Sequence, residues 1–170
     1  MPIRFYLWRD VLVELRRAAR VDPSRHSVCV LTGSYGLAND GPFMEVDGFE
    51  GFLSYDHLET PEVTLHDHLH ALFLEGLGVS GDAGADPRSH NAGSGPLGFF
   101  YHAPHSGALL DETIVRLHLS LCNIPYQLVL ISDLLDASHQ VALYTRRTRE
   151  PFVNTSFYML SRRELAMEEE

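Results

Sequence analysis

Gly98-Phe99-Phe100-Tyr101-His102-Ala103-Pro104-His105-Ser106-Gly107 is the stretch on which the reading of the fold turns. A glycine opens it, three aromatic residues follow in succession, and a histidine stands just before the chain meets Pro104. Consecutive aromatic residues suit a buried strand, so one is expected over residues 97–101. Downstream, Asp111 and Glu112 occupy the first turn of an expected helix near residues 109–121, where the helix dipole favours negative charge. Its apolar face would carry Leu110, Ile114, Leu117 and Leu121. Tyr126–Ser132 then reads as a strong buried strand, apolar at Leu128, Val129, Leu130 and Ile131.

Working back towards the N-terminus, residues 60–62 (Thr, Pro, Glu) carry the cap, first-position proline and early acid of a second helix. Its stripe is Leu65, Leu69, Leu72 and Phe73, with Gly76 as its expected end. Residues 43–46 and 49–55 predict two strands, or one strand bent at Asp47-Gly48, after a turn at Asn39-Asp40-Gly41. The β-branched run at 28–31, closed by Gly33 and Gly36, predicts a further buried strand. Trp8, Val11, Leu12, Leu15 and Ala19 recur at helical spacing, which predicts an amphipathic helix over 5–21, ended by Asp22-Pro23. Beyond the central stretch, 140–144 and 152–158 read as later strands, the last with alternating pattern. The expectation is an α/β fold: one domain over 1–165, with a central mixed sheet flanked by about three helices. Residues 78–96, rich in Gly, Ala, Ser, Asp and Asn, are expected to form a flexible loop, and 166–170 an acidic tail.

At 170 residues, 45% hydrophobic and 21% charged, the chain is long enough and apolar enough to bury a core. Its formal net charge of -10 repels a phosphate backbone and argues against nucleic acid as a partner. The arginines at 16, 17 and 20 and at 146, 147 and 149 read as solvated. No apolar run approaches the roughly 20 residues that cross a bilayer, and no secretory signal layout is present. The two cysteines, Cys29 and Cys122, lie in apolar stretches and read as buried thiols, consistent with a cytoplasmic location.

Ten histidines make metal binding worth asking about. His102 and His105 flank Ala103-Pro104, with Asp111 or Glu112 following, so these four are the candidate metal ligands, and zinc the candidate metal. His66 and His70 lie one helical turn apart, a spacing at which two imidazoles can share a metal. The chain lacks the Glu after His66 that a zinc protease of this spacing needs, so a solvated or partner-facing helix edge is the favoured reading. Neither Asn91-Ala92-Gly93-Ser94-Gly95 nor Gly33-Ser34-Tyr35-Gly36 completes a nucleophile elbow or a phosphate loop. No catalytic residue is assigned.

The central stretch, and the order of elements around it, resembles the MPN/JAB (Mov34) family. That family carries a strand reading Gly-x-x-His-Ser-His-Pro, with a Ser and an Asp downstream. The resemblance implies that two histidines and the Asp hold zinc, a Glu at the start of the first strand acts as general base, and the Ser supports the oxyanion. If His102 takes the first histidine position, the second falls on Pro104, the Ser on Glu112 and the Asp on Val115. If Gly98 and Pro104 are aligned instead, Tyr101 and Ala103 replace both histidines, and the Ser and Asp become Asp111 and Ile114. The base maps near His26 or Ser27. The resemblance therefore implies a non-catalytic scaffold of MPN type, without cofactor, paired with a second MPN-type subunit or with itself. The alternative is a zinc-dependent peptidase or isopeptidase with an altered ligand set. Candidate contact surfaces are the His66/His70 edge, the aromatic run 99–101 and the strand 152–158.

Overall fold

Strand alternation sorts the apolar runs of this chain onto two faces of one sheet. The structure, a computed structural model, describes residues 3–80, 93–105, 107–121, 126–133, 141–147 and 152–161. In chain order the elements are β1 (Arg4–Trp8), α1 (Arg9–Arg20), β2 (His26–Ala38), β3 (Gly41–Tyr55), α2 (Glu62–Ser80) and β4 (Gly93–His102). They continue with α3 (Glu112–Leu121), β5 (Tyr126–Ser132), β6 (Val141–Arg147), β7 (Val153–Thr155) and β8 (Tyr158–Leu160). The fold is α/β, with an eight-stranded mixed sheet ordered β7-β6-β5-β4-β2-β3-β1-β8.

On one face, Cys29, Leu31, Phe100, Leu128 and Leu130 pack against Val11, Leu12 and Leu15 of α1. On the other, Val28, Val30, Phe99, Tyr101, Val129 and Ile131 pack against Leu65, Leu69 and Phe73 of α2 and Ile114 and Leu117 of α3. Strands covered on both faces need apolar residues at every position, which is why β4 and β5 read as unbroken runs. Gly98 has a steric reason. A Cβ there would lie 2.0 Å from the Leu128 carbonyl oxygen of the paired strand.

The sheet is strongly curled. β7 pairs with β6 at one edge and β8 pairs with β1 at the other, yet only Ser156 and Phe157 separate β7 from β8. Three Cα–Cα steps span at most about 11 Å, whereas eight flat strands would spread over roughly 34 Å. Both edges must therefore bend towards each other. Phe157, on the crossing, packs into the α1-side core, and Tyr158 lays its ring 5.5 Å from that of Tyr6.

Several expectations need correction. Residues 4–8 form a strand rather than the first turns of a helix, because Phe5 and Leu7 alternate into the core and pair in parallel with β3. Of the two alternatives for residues 43–55 the single strand is found, as β3 of 15 residues, whereas α2 does not end at Gly76 but runs on to Ser80. Residues 93–96 of the expected loop belong to β4, where they pair with β2, and residues 81–92 lie outside the described residues. The expected strand 152–158 is two short strands at opposite edges. The aromatic run 99–101 is core, not contact surface, with exposures of 0%, 0% and 2%. Gly33-Ser34-Tyr35-Gly36 lies inside β2. Cys29 is a buried thiol whose pKa is pushed up by desolvation, while Cys122 and the tail at 166–170 lie outside the described residues. Among the described residues no helix is long and apolar enough to cross a membrane.

Candidate functional site

The carboxyl end of the parallel pair β4–β5 is where an α/β sheet opens to receive ligands, since loops and helix starts gather there. Here a cavity of about 190 Å3 opens between the start of β2, the end of β3, the end of β4 and the starts of α2 and α3. Its apolar floor is Leu65, Tyr101, Ile114 and Leu117, and its polar groups include His26, Tyr55, His57 and Asp111. Antiparallel pairing sets His26 opposite Tyr55, which brings together residues 29 apart in sequence. His57, just beyond β3, lays its ring 4.2 Å from that of His26.

The electrostatics of this wall follow from burial. Desolvation, then the neighbouring His57 and His102, lower the pKa of His26 to about 4, so its ring is neutral at pH 7. Its Nδ1 is buried and has no hydrogen-bond partner among the described residues. Burial likewise raises the pKa of the Tyr55 hydroxyl, which stays protonated. Asp111 caps α3: its Oδ1 accepts the Ile114 N–H at 2.8 Å, the N3 position of a well-formed N-cap. Glu62, in the first turn of α2, accepts from Arg116 of α3 at 2.7 Å, and this bond holds its carboxyl below the usual range.

His102 does something different from its neighbours. Residues 99 and 101 face α2 and α3, so alternation turns residue 102, like Phe100, to the α1 side. Its ring is fully buried there, with Nδ1 3.1 Å from the Ser132 carbonyl oxygen and Nε2 2.9 Å from the Pro23 carbonyl oxygen. A carbonyl only accepts, so neither nitrogen is turned towards an open ligand position. Ser27 and Ser132 flank His102 in register on β2 and β5, completing a buried polar row.

The loop after β4 is organised by Asp133, which the sequence reading did not single out. Its buried carboxylate accepts the His105 N–H at 3.2 Å and the Gly107 N–H at 2.8 Å. Those two bonds hold a segment in which His105 (φ 63°) and Ala108 (φ 58°) are left-handed without being glycine, a conformation costing about 1–3 kcal/mol each. Of the four candidate ligands, Asp111 lines the cavity, and His102 contributes to its wall with its ring on the far side of the sheet. His105 is exposed on the loop, and Glu112, its side chain 97% exposed, lies 3.8 Å from Arg116. The structure thus does not converge the four, and among the described residues no three of His, Cys, Asp and Glu form a metal-holding group. His102, the residue with the strongest claim to a zinc ligand, has both nitrogens committed, so the residues present do not fit the metal. The signal for its orientation was present in the strand alternation. The convergence of His26, Tyr55 and His57 had no local signal.

On α2, His66 and His70 stack with ring centroids 5.3 Å apart, and His66 Nδ1 lies 3.3 Å from Asp67 Oδ1. His68 points the other way, its Nε2 2.7 Å from the Gly51 carbonyl oxygen.

No protein-family model matches this chain, and no curated protein matches it in sequence. Among solved structures it is similar to the solution structure of protein DSY2949 from Desulfitobacterium hafniense, at 16% identity and a TM-score of 0.56. The match covers 92% of this chain and 93% of that one. At that identity the likeness speaks for a shared fold alone.

Proposed function

We propose that this chain is a binding domain of MPN/JAB type that has no metallopeptidase chemistry and works as a scaffold for a protein partner. The observation that carries this reading is the His102 ring, buried on the α1 side and directed at two carbonyl oxygens. A hydrolytic zinc site needs three protein ligands around an open fourth position. Here His102 serves as a strut between β4, β5 and the chain after α1, while Asp111 serves as a helix cap. The glycine–aromatic strand, the strand–helix–strand order and the acid at the start of α3 support the MPN-type reading. The partner is a second MPN-type subunit or a second copy of this chain, twofold pairing being the commonest assembly. The apolar residues Val153, Tyr158 and Met159, exposed on the two edge strands, suit that role.

The test joins light scattering at micromolar concentration with incubation of the zinc-supplemented protein with a lysine-linked isopeptide. A stable complex without turnover supports the scaffold. Zinc-dependent hydrolysis that disappears in His102→Ala overturns it.

A further inference from the structure

We propose that the cavity between β2, β4, α2 and α3 is a receptor for one alkylammonium group, and that its occupant is a lysine side chain presented by a protein partner. The inference rests on the reading of this domain as a binder and names the chemistry of what it binds.

Size comes first. At about 190 Å3 the cavity is well below the roughly 300–1,000 Å3 of sites for drug-sized ligands or cofactors. A lysine side chain, with five heavy atoms beyond Cα, is of this scale.

The lining selects the chemistry. Tyr55 and Tyr101 supply aromatic surface and Leu65, Ile114 and Leu117 supply apolar surface, which suit a methylene chain ending in a cation. The imidazole of His26 adds an acceptor, because its buried Nδ1 has no partner among the described residues and its ring is uncharged. A charged imidazole would repel the ammonium. At the mouth, Arg116 engages Glu62, which leaves Asp111 as the carboxylate offered to a ligand. One of the Asp111 oxygens already accepts the Ile114 N–H. A guanidinium, which prefers a carboxylate with both oxygens available, is the poorer fit, and a point-like ammonium the better one. The net charge of -10 steers basic partners towards the domain.

The test is a titration of the full chain, followed by amide NMR, with Nα-acetyl-lysine N-methylamide, its uncharged norleucine counterpart, n-butylamine, and a short peptide with one central lysine. The lysine compounds should shift the amides of His26, Tyr101 and Ile114, and norleucine should bind at least about tenfold more weakly. Asp111→Asn keeps a side chain that caps helices equally well, so it should fold normally and lose about tenfold in affinity for the lysine peptide. Glu112→Gln makes the same change of charge one residue away and should bind as wild type. Equal binding of lysine and norleucine compounds, or an Asp111→Asn variant that binds like wild type, overturns the proposal. Binding of n-butylamine without binding of the peptide would assign the cavity to a free amine and overturn the partner lysine. A partner complex untouched by Asp111→Asn would leave the scaffold reading standing while this inference falls. Zinc-dependent hydrolysis would remove the scaffold reading whatever the amines do.

Discussion

Replacing His102 with alanine separates a strut from a metal ligand. The ring has 0% exposure and sits under the chain that leaves α1. Truncating a fully buried side chain of this size costs about 2–4 kcal/mol through lost packing and the cavity left behind. A neutral imidazole donates through one nitrogen only, so one of these two contacts is a hydrogen bond adding about 1 kcal/mol, part of it overlapping with the packing loss. The Ser132 carbonyl would keep the Ala103 N–H, and Ser27 and Ser132 would line the resulting void. A total of about 3–5 kcal/mol follows, and at about 2–4 °C per kcal/mol for a chain of this length, Tm should fall by roughly 6–20 °C. Thermal and urea unfolding measure it directly, run with and without a zinc chelator. If His102 is a strut, the chelator changes neither wild type nor variant. A variant that melts within about 3 °C of wild type refutes the reasoning. So does a chelator that lowers the Tm of wild type and leaves the variant unchanged.

Gly98→Ala sets a Cβ 2.0 Å from the Leu128 carbonyl oxygen at the centre of the sheet, so it should cost more than about 3 kcal/mol in urea unfolding; a near-neutral result would mean that β4 and β5 do not pair in this register. Because His26 has a folded pKa lowered to about 4 from 6.5, its neutral form contributes stability that is fully present above pH 6.5 and lost as pH falls towards 4. The full shift, discounted for partial exposure, amounts to about 1–2 kcal/mol, so His26→Gln should flatten the pH dependence of the urea midpoint between pH 7 and 4.5, and parallel curves would contradict it. Tyr101→His combined with Ala103→His puts two imidazoles on the cavity side near Asp111, so that protein should gain a zinc-dependent rise in Tm; no response to zinc would show that these positions cannot converge.

What the sequence disclosed was whatever local pattern controls. The strands covered on both faces were legible from runs such as 128–131, because burial on two sides leaves no polar position. Glu62 marked the start of α2 for a similarly local reason, an acid at the positive end of the helix dipole. β1 was missed because Trp8 serves both the strand and the helical spacing that begins at Arg9, and five residues of alternation are easily absorbed into a helix. The division of 152–158 into two edge strands depends on the curl of the whole sheet, to which no seven-residue window has access.

The site was legible only in fragments, and the sheet explains which ones. The sequence places Asp111 in the first turn of a helix from about residue 109, whereas the helix starts at Glu112 and Asp111 is its cap. What the residue types at 102, 105 and 111 do not reveal is that a sheet lies between two of them. The His102 ring is on the α1 side, whereas Asp111, His26 and Tyr55 border the cavity on the side of α2 and α3. No change of rotamer carries a side chain through a strand. Only a slip of one residue in β4 would, and that slip would exchange Phe99 and Tyr101 for Phe100 and His102 in the core beside α2 and α3. The register with Gly98 and Pro104 in the family positions sets Tyr101 and Ala103 where the histidines would be, and both residues do line the cavity. On that proposed alignment the two histidine positions carry an aromatic ring and a methyl group, while His102 is fully buried on the α1 side. On the scaffold reading proposed above, such a pocket would hold a side chain by shape, by aromatic surface and through the Asp111 carboxylate.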